Sequence, residues 1–525
     1  MTIRTITLAL LAGTALIAVP ASAHNTGKAH KHHGKRTAAA PAGPTLRDTL
    51  AAQQAKIDEL TARLNSMQPA AAAAPMVDTA AADEANANAE FLKAQVDALQ
   101  AQLEGVKKTV ALANPTYKGA PEWTGADGFK FKVNGLVQYD AGYVENPRNA
   151  INTPNLGFNT RARRLLFGIE GTILGDFAYR AQFDFAQNAV NYEDVVLEYS
   201  PKGSPLTFTV GNFYPFSSLD NMTSNRFVSV VERSQLNDAF NNGRRIGAAL
   251  TYANKAQDFR IQAGVFSNDA INPNFDNNGY QGSARVVYSP QMLGGQLHFG
   301  ASFQHRQFKS AAFGQQYRAR PFTQITDQRF VDTAAIAAKR DDIIGVELLG
   351  IFGPLHVQGE AQYLKVDGLR ATDILNPGQV ALGTRYPLNP AFYSAYGELG
   401  YWLTGETRGY KNGKIDRTKI LHPVTSGGSG GLQLVGRIDY LDLTDRVTNV
   451  TTPTSDGLLN GGTQTGYLAA INYWPIDYVR VTLQYIHAEI KGGPRAAAVI
   501  PLSGNFPSDR SYSTNGVVLR TQIDF

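Results

Sequence analysis

The sequence predicts an all-β transmembrane barrel of about 16 antiparallel strands, preceded by N-terminal α-helical coiled-coil segments. Three observations predict it. An export signal opens the chain, apolar and polar side chains alternate with a period of two from Thr116 onward, and tight turns alternate with long polar connections.

Residues 1–23, MTIRTITLALLAGTALIAVPASA, carry Arg4, an apolar run from Ile6 to Val19, and the small-residue pattern Ala21-Ser22-Ala23. They read as a signal peptide cleaved after Ala23, because the run is too short to span a membrane. No later apolar run reaches the length of a membrane-spanning helix, which excludes a helical membrane protein. The 525 residues include no cysteine, so neither disulfides nor thiolate chemistry are available. A net charge of +5 is spread along the chain instead of clustered, which argues against nucleic acid as a partner.

Residues 24–45 are a flexible tract rich in His and Lys, with His24, His30, His32 and His33. No carboxylate or scaffold fixes a coordination geometry there, so no metal site is expected, and the chain as a whole calls for no cofactor. Residues 46–113 read as a periplasmic coiled-coil region. Leu46, Leu50, Gln53, Ile57, Leu60, Leu64 and Met67 form one seam, and Leu92, Val96, Leu99, Leu103, Val106 and Val110 form another. An Ala/Pro-rich linker at 69–89, with Pro69 and Pro75, separates them. Each seam covers only about three heptads, so both gain stability if an assembled barrel already holds the chains together.

Residues 116–525 form the barrel domain. In 130–144, Phe131, Val133, Val137, Tyr139, Ala141 and Tyr143 share one face, and Lys132, Asn134, Gln138 and Asp140 the other. One face suits lipid and the other water. The same rule predicts strands at 177–186, 259–267, 280–288, 297–306, 344–352, 355–364, 393–403, 432–441, 478–489 and 517–525, with less regular ones at 159–172, 191–200, 206–213, 243–253 and 463–474. The last strand, with Val517, Leu519, Thr521, Ile523 and Phe525 toward lipid, is expected to close against 130–144. Links at 171–175, 289–295 and 351–354 are tight and belong on the periplasmic side. Those at 145–158, 307–341, 365–391, 405–430 and 491–514 are long and are expected outside.

If the apolar face is outward, the opposite face lines a wet lumen. Basic candidates for pore lining and anion contact are Lys132, Arg163, Arg164, Arg180, Arg226, Arg233, Arg245, Arg260, Arg285 and Arg437. Strict alternation adds Arg306, Arg480 and Arg520, and places about as many acids inward, among them Asp140, Glu170, Asp184, Asp194, Glu198, Glu347, Glu360, Glu398, Asp439 and Asp524. Arginine suits an anion path because its planar fork pairs with carboxylate or phosphate and keeps its charge. The same arginines could instead neutralise wall carboxylates. Arg161, Arg163 and Arg164, three like charges within four residues, demand an anion or several acids. The segment 214–242 breaks the alternation and can either fold inward as a constriction or pack outside; Tyr214, Asp220, Arg226, Glu232 and Arg233 are its candidate residues.

RRLLFGIEGTILGDFAYRAQFDFA (163–186), NFYPFSSLD (212–220) with VER (231–233), ELGYWLTGETRGY (398–410), LVGRIDYLDLTD (434–445), INYWPIDYVRVTLQYIHAEI (471–490) and the closing LRTQIDF resemble the phosphate-selective porin O and P family. The resemblance spans about 116–525. It implies a trimeric barrel whose third loop enters the lumen and whose arginines guide anions, and some members carry N-terminal coiled coils. Arg163 and Arg164 match its arginine pair, and Glu232 and Arg233 its constriction-loop pair. Where members that concentrate phosphate carry a lysine, in a form like GQFKxPF, this chain has Tyr214, which brings a hydrogen bond and no charge.

The expected function is an outer-membrane porin, a wet channel for small hydrophilic solutes, anions such as phosphate among them. The alternative is a general or sugar-permeable porin, with Tyr214 and Phe216 as stacking surfaces and a tethering role for the coiled coil. Expected partners are outer-membrane lipid, two further copies of the chain, the permeating solutes and the cell wall through the coiled coil. An enzyme is not expected, because His298, His305, His356, His422 and His487 sit in no recognisable nucleophile motif.

Overall fold

The computed structural model describes residues 46–525 except 72–78, 114, 126–127, 148–155, 187–188, 241, 269–270, 272–278, 309–313, 371–383, 385–387, 447–458, 497–498 and 500–506. The predicted signal peptide and the tract at 24–45 lie outside the described residues. The chain divides into two compact units, one ending at Leu103 and the other beginning at Glu104.

The helical part comprises α1 (Leu46–Ala71) and α2 (Thr79–Ala113). Ile57 and Leu60 of α1 and Val96 and Leu103 of α2 are buried, and all four are seam positions. Between 91 and 105 only the seam residues Leu92, Val96, Leu99 and Leu103 are not exposed. At these positions the apolar side chains are therefore covered within one chain. The linker expected at 69–89 is shorter than that, since α1 runs to Ala71 and α2 starts at Thr79. Alanine is the strongest helix former, and past Pro75 nothing in the sequence breaks a helix.

Sixteen antiparallel strands make the barrel: β1 (Lys130–Val144), β2 (Gly157–Ile173), β3 (Phe177–Asp184), β4 (Asn191–Tyr199), β5 (Leu206–Phe213), β6 (Arg245–Ala253), β7 (Phe259–Ser267), β8 (Tyr280–Tyr288), β9 (Gly295–Gln307), β10 (Ile336–Phe352), β11 (Leu355–Gly368), β12 (Ala391–Trp402), β13 (Gly431–Asp445), β14 (Leu459–Ile476), β15 (Val479–Lys491) and β16 (Ser511–Asp524). Each pairs with the next, and β16 closes on β1 from Gly516↔Val144 to Asp524↔Leu136. Closure leaves no unpaired edge in lipid. Val346, Leu348, Leu399, Ile438, Tyr467 and Leu519 are exposed on the outer wall.

The strands fall into two length classes. β3 to β8 have 8 or 9 residues, close to the roughly 9–11 that cross a bilayer. The other strands have 12 to 18. Their surplus rises at the loop end, where the inward side chains turn apolar: Ile343, Leu364, Phe392, Leu441, Ile486 and Val518 are fully buried. They pack in one core with Leu236, Phe240, Phe322 and Phe330, all from connecting segments. The barrel interior is thus filled by chain that enters it.

Two connections depart from expectation. The segment 307–341, expected outside, enters the barrel, because Tyr317, Ala319, Phe322, Ile325, Phe330 and Val331 join that core. The segment 405–430, also expected outside, belongs to the turn end: Trp402 N donates to Pro354 O at 3.0 Å, and Gly431 pairs with Trp474 beside the 477–478 turn. It rises into the lumen as a small hairpin, Gly409–Lys411 with Lys414–Asp416. Asn412 and Gly413 have φ of 54° and 73°, as a two-residue primed turn requires.

Candidate functional site

The 214–244 connection between β5 and β6 crosses the lumen. It carries two short helices, α3 (Leu219–Met222) and α4 (Gln235–Ala239). Its backbone is held by inward wall side chains around most of the barrel. Phe216 N donates to Ser283, Asp220 N to Glu360 at 2.7 Å, Val231 N to Gln484 at 2.8 Å and Gln235 N to Asp439 at 3.2 Å. Arg480 and Arg306 donate to Val228 O and Phe240 O, and Arg226 donates to Gly135 O. A segment fixed on so many sides narrows the passage.

A β-bulge supplies the charges opposite it. The β1–β2 register shifts so that Gln138 faces Arg164 while Tyr139 faces Ala162. The extra residue, Arg163, then turns inward beside Arg164. Arg163 grips Glu232 with Nε and Nη2 at 2.8 and 2.9 Å. Arg520 binds the same carboxylate at 2.7 Å while holding Asp140 with two bonds of 2.6 Å. Burial alone would raise the Glu232 carboxyl; the two arginines instead hold it well below the usual range. Arg164 donates to Gln138 at 2.8 Å and forms no ion pair among the described residues.

Two cavities lie along the passage, of about 400 and 410 Å³. The first includes Arg163, Arg164 and Arg320 in its lining, and the second Lys132, Arg180, Arg226, Lys411, Lys414 and Arg417. Glu193, Tyr214, Asn221, Asn225 and Arg233 line both, so they mark the junction. Arg233 donates to Asp220 O at 2.9 Å and Thr223 O at 2.6 Å, and no carboxylate among the described residues pairs with it. The Tyr214 hydroxyl accepts from Arg244 at 3.0 Å and Arg233 at 3.4 Å. Both guanidinium groups also face its ring, at 4.1 and 5.5 Å from the centroid. Arg244 is neutralised by Glu193 and Asp194.

Of the ten basic candidates, Lys132, Arg163, Arg164, Arg180, Arg226 and Arg233 line these cavities. Arg245, Arg260, Arg285 and Arg437 line neither. Arg285 is spent on Glu347, with bonds of 2.8 and 2.6 Å, and on Gly413 O of the hairpin. Arg437 is spent on Glu398 at 2.9 and 2.7 Å. Arg245 donates to Arg244 O, and Arg260 reaches Gln257 and Asn412. The infolded hairpin meets Arg260 and Arg285, which the alternation pattern does not reveal. All five residues expected in the constriction loop lie within the crossing segment, and Asp220 there accepts from Ser234 N and Oγ at 2.8 and 2.9 Å. Phe216, expected as a stacking surface, is buried against Phe213 and Phe266.

Sequence reasoning missed Arg244, Arg320, Lys411, Lys414 and Arg417. The Asn412-Gly413 dipeptide was the signal for the hairpin that carries the two lysines. Its docking is tight: Tyr410 meets His298 Nδ1 at 2.6 Å, Arg408 meets Gln358 at 2.9 Å and Phe227 O at 3.4 Å, and Arg417 pairs with Asp524.

Residues 131–525 match the family described as phosphate-selective porin O and P. A protein of Caulobacter vibrioides with no assigned function is 32% identical over 491 residues, covering 91% of this chain and 91% of its own length. Porin O of Pseudomonas aeruginosa is 24% identical over 395 residues, covering 69% of this chain and 83% of its own. Among solved structures, the outer membrane channel DcaP of Acinetobacter baumannii aligns with a TM-score of 0.45 at 12% identity, over 77% of this chain and 99% of that one. The anion-selective porin from Comamonas acidovorans aligns with a TM-score of 0.45 at 10% identity, over 76% and 100%.

Proposed function

The chain belongs to the phosphate-selective porin O and P family, an outer-membrane porin channel, and from that premise we propose that it passes small hydrophilic solutes with a preference for anions. One observation carries the preference. The residues shared by the two cavities include Arg233, a guanidinium bound to backbone carbonyls and a phenol but to no carboxylate. Arg164 above it, and Lys132, Lys411 and Lys414 below it, likewise form no ion pair among the described residues, so positive charge outlasts the internal pairing along the path. The channel works by diffusion and performs no chemistry. The sugar-stacking alternative loses support, since Phe216 is buried and both guanidinium groups occupy the Tyr214 ring.

Bilayer recordings of the purified protein in a potassium chloride gradient test this reading. A reversal potential favouring chloride is expected, and one favouring potassium overturns it.

The assembly is a homotrimer in this proposal, with the low wall β3 to β8 turned toward the neighbouring copies. Those short strands barely reach across a bilayer, and their outward Ala248, Ala263, Gly282 and Ala284 permit close approach. The helices act as a periplasmic spacer or tether toward the cell wall. Deleting residues 29–113 should then leave single-channel conductance unchanged; an altered current would make the helices part of the pore.

A further inference from the structure

The junction between the cavities holds one cation, Arg233, that no carboxylate among the described residues pairs with, and a small, countable set of donors. Arg233 has given Nε to Asp220 O, one Nη2 proton to Thr223 O and one Nη1 proton to Tyr214, which leaves one N–H on each terminal nitrogen. Arg244 adds no free cation, because Glu193 and Asp194 both pair with it, and with Arg180 shared between Asp194 and Glu170 the cluster carries a surplus acid that makes a second negative charge on the solute still less welcome. The Tyr214 hydroxyl accepts from Arg233 and Arg244, so both of its lone pairs are taken and only its own proton remains to be offered. Tyr214 is half-buried and lines both cavities, so that proton faces the path. Held between two guanidinium groups, the phenol also keeps them apart and fixes their direction.

This arrangement complements one planar group with a single negative charge. A carboxylate uses the two free N–H groups of Arg233 and the phenolic O–H, and its charge balances that of Arg233. A doubly charged oxyanion at the junction would bring a second charge that Arg233 does not balance, and desolvation without a partner is costly. The geometry points to Tyr214 as the specificity-determining residue of the channel, setting it to pass singly charged organic anions, monocarboxylates above all, in preference to dianions. This rests on the anion reading above and narrows it.

The test uses full-length trimers in planar bilayers at about pH 8, where inorganic phosphate is mainly a dianion. Permeabilities of acetate, sulfate and phosphate are read from bi-ionic potentials against chloride, for wild type and Tyr214→Phe. That substitution keeps the ring between the arginines and removes only the hydroxyl, so a retained chloride current reports an intact pore. Wild type should pass acetate several-fold better than sulfate or phosphate. In Tyr214→Phe the ratio should collapse, because the carboxylate loses a donor while Arg233 and Arg244 each regain one for dianions. Dianions passing as well as acetate, in a pore that still prefers chloride over potassium, would overturn this inference and leave the anion reading intact. A preference for potassium would overturn both. Wild-type ratios in Tyr214→Phe would remove Tyr214 from the role.

Discussion

Phe525 lies across Gly135: the two exchange backbone hydrogen bonds of 3.1 and 3.0 Å, and a Cβ on Gly135 would sit 2.2 Å from the aromatic ring. The seam between β16 and β1 thus ends on a ring that needs a glycine opposite. Gly135→Leu should force the ring away and weaken closure, by about 1–3 kcal/mol as overpacking usually costs. Urea unfolding of refolded barrels in lipid vesicles reads it; an unchanged midpoint would show that the ring is free to move into lipid.

Glu232 pairs with both Arg163 and Arg520, and it ties the crossing segment to β2 and β16 together. Glu232→Gln should cost about 3 kcal/mol, since both arginines lose a buried partner. It should also raise chloride preference, because one negative charge leaves the path. The wild-type carboxyl is held below its ordinary value, so its contribution is complete above the unfolded value of about 4 and fades as pH falls through the depressed one. Reversal potentials and unfolding curves check the two halves separately; a variant matching wild type in both would make the pair inert.

The barrel itself was legible because alternation with a period of two must hold wherever one face meets lipid. All sixteen expected segments are strands, and the expected closing pair is the observed one. What escaped was the interior. Ile343, Leu364 and Phe392 face inward yet are apolar, because the strands there outgrow the membrane and pack on infolded chain. Arg163 faces inward only because a bulge breaks the alternation that would point it out. Arg285 and Arg437 have the right parity and the right chemistry, but long-range partners, Glu347 and Glu398, consume them. Parity is a local property and pairing is not, so wall orientation could be read from sequence while the identity of the unneutralised cations could not.

The hairpin at 409–416 enters the lumen from the turn end, where it lines the second cavity, and Ile415 anchors it in an apolar contact with Leu219, Leu349 and Ile351. Replacing 408–417 with a short glycine-serine link should raise single-channel conductance by about twofold or more, since it removes packed chain from the narrow part of the path. It should also lower chloride preference, because Lys411, Lys414 and Arg417 leave with it. Conductance equal to wild type would place the hairpin beside the path instead of in it.

Arg320 lines the loop-end cavity, and its guanidinium is pushed down to about 10, first by burial and then by repulsion from Arg329. An arginine keeps its charge through the working pH range, so the lowered value marks a poorly solvated, repelled cation whose attraction for anions should persist as pH rises. The absolute chloride preference of the wild type is not the readout. The comparison with Arg320→Gln is. At about pH 8 the variant should show the smaller chloride preference, and the gap should persist as pH is raised, because the wild-type guanidinium stays charged. Reversal potentials measured across that range in both proteins decide it: coincident curves would mean that the Arg320 charge is screened from the path by Asp238, with which it pairs at 3.8 Å.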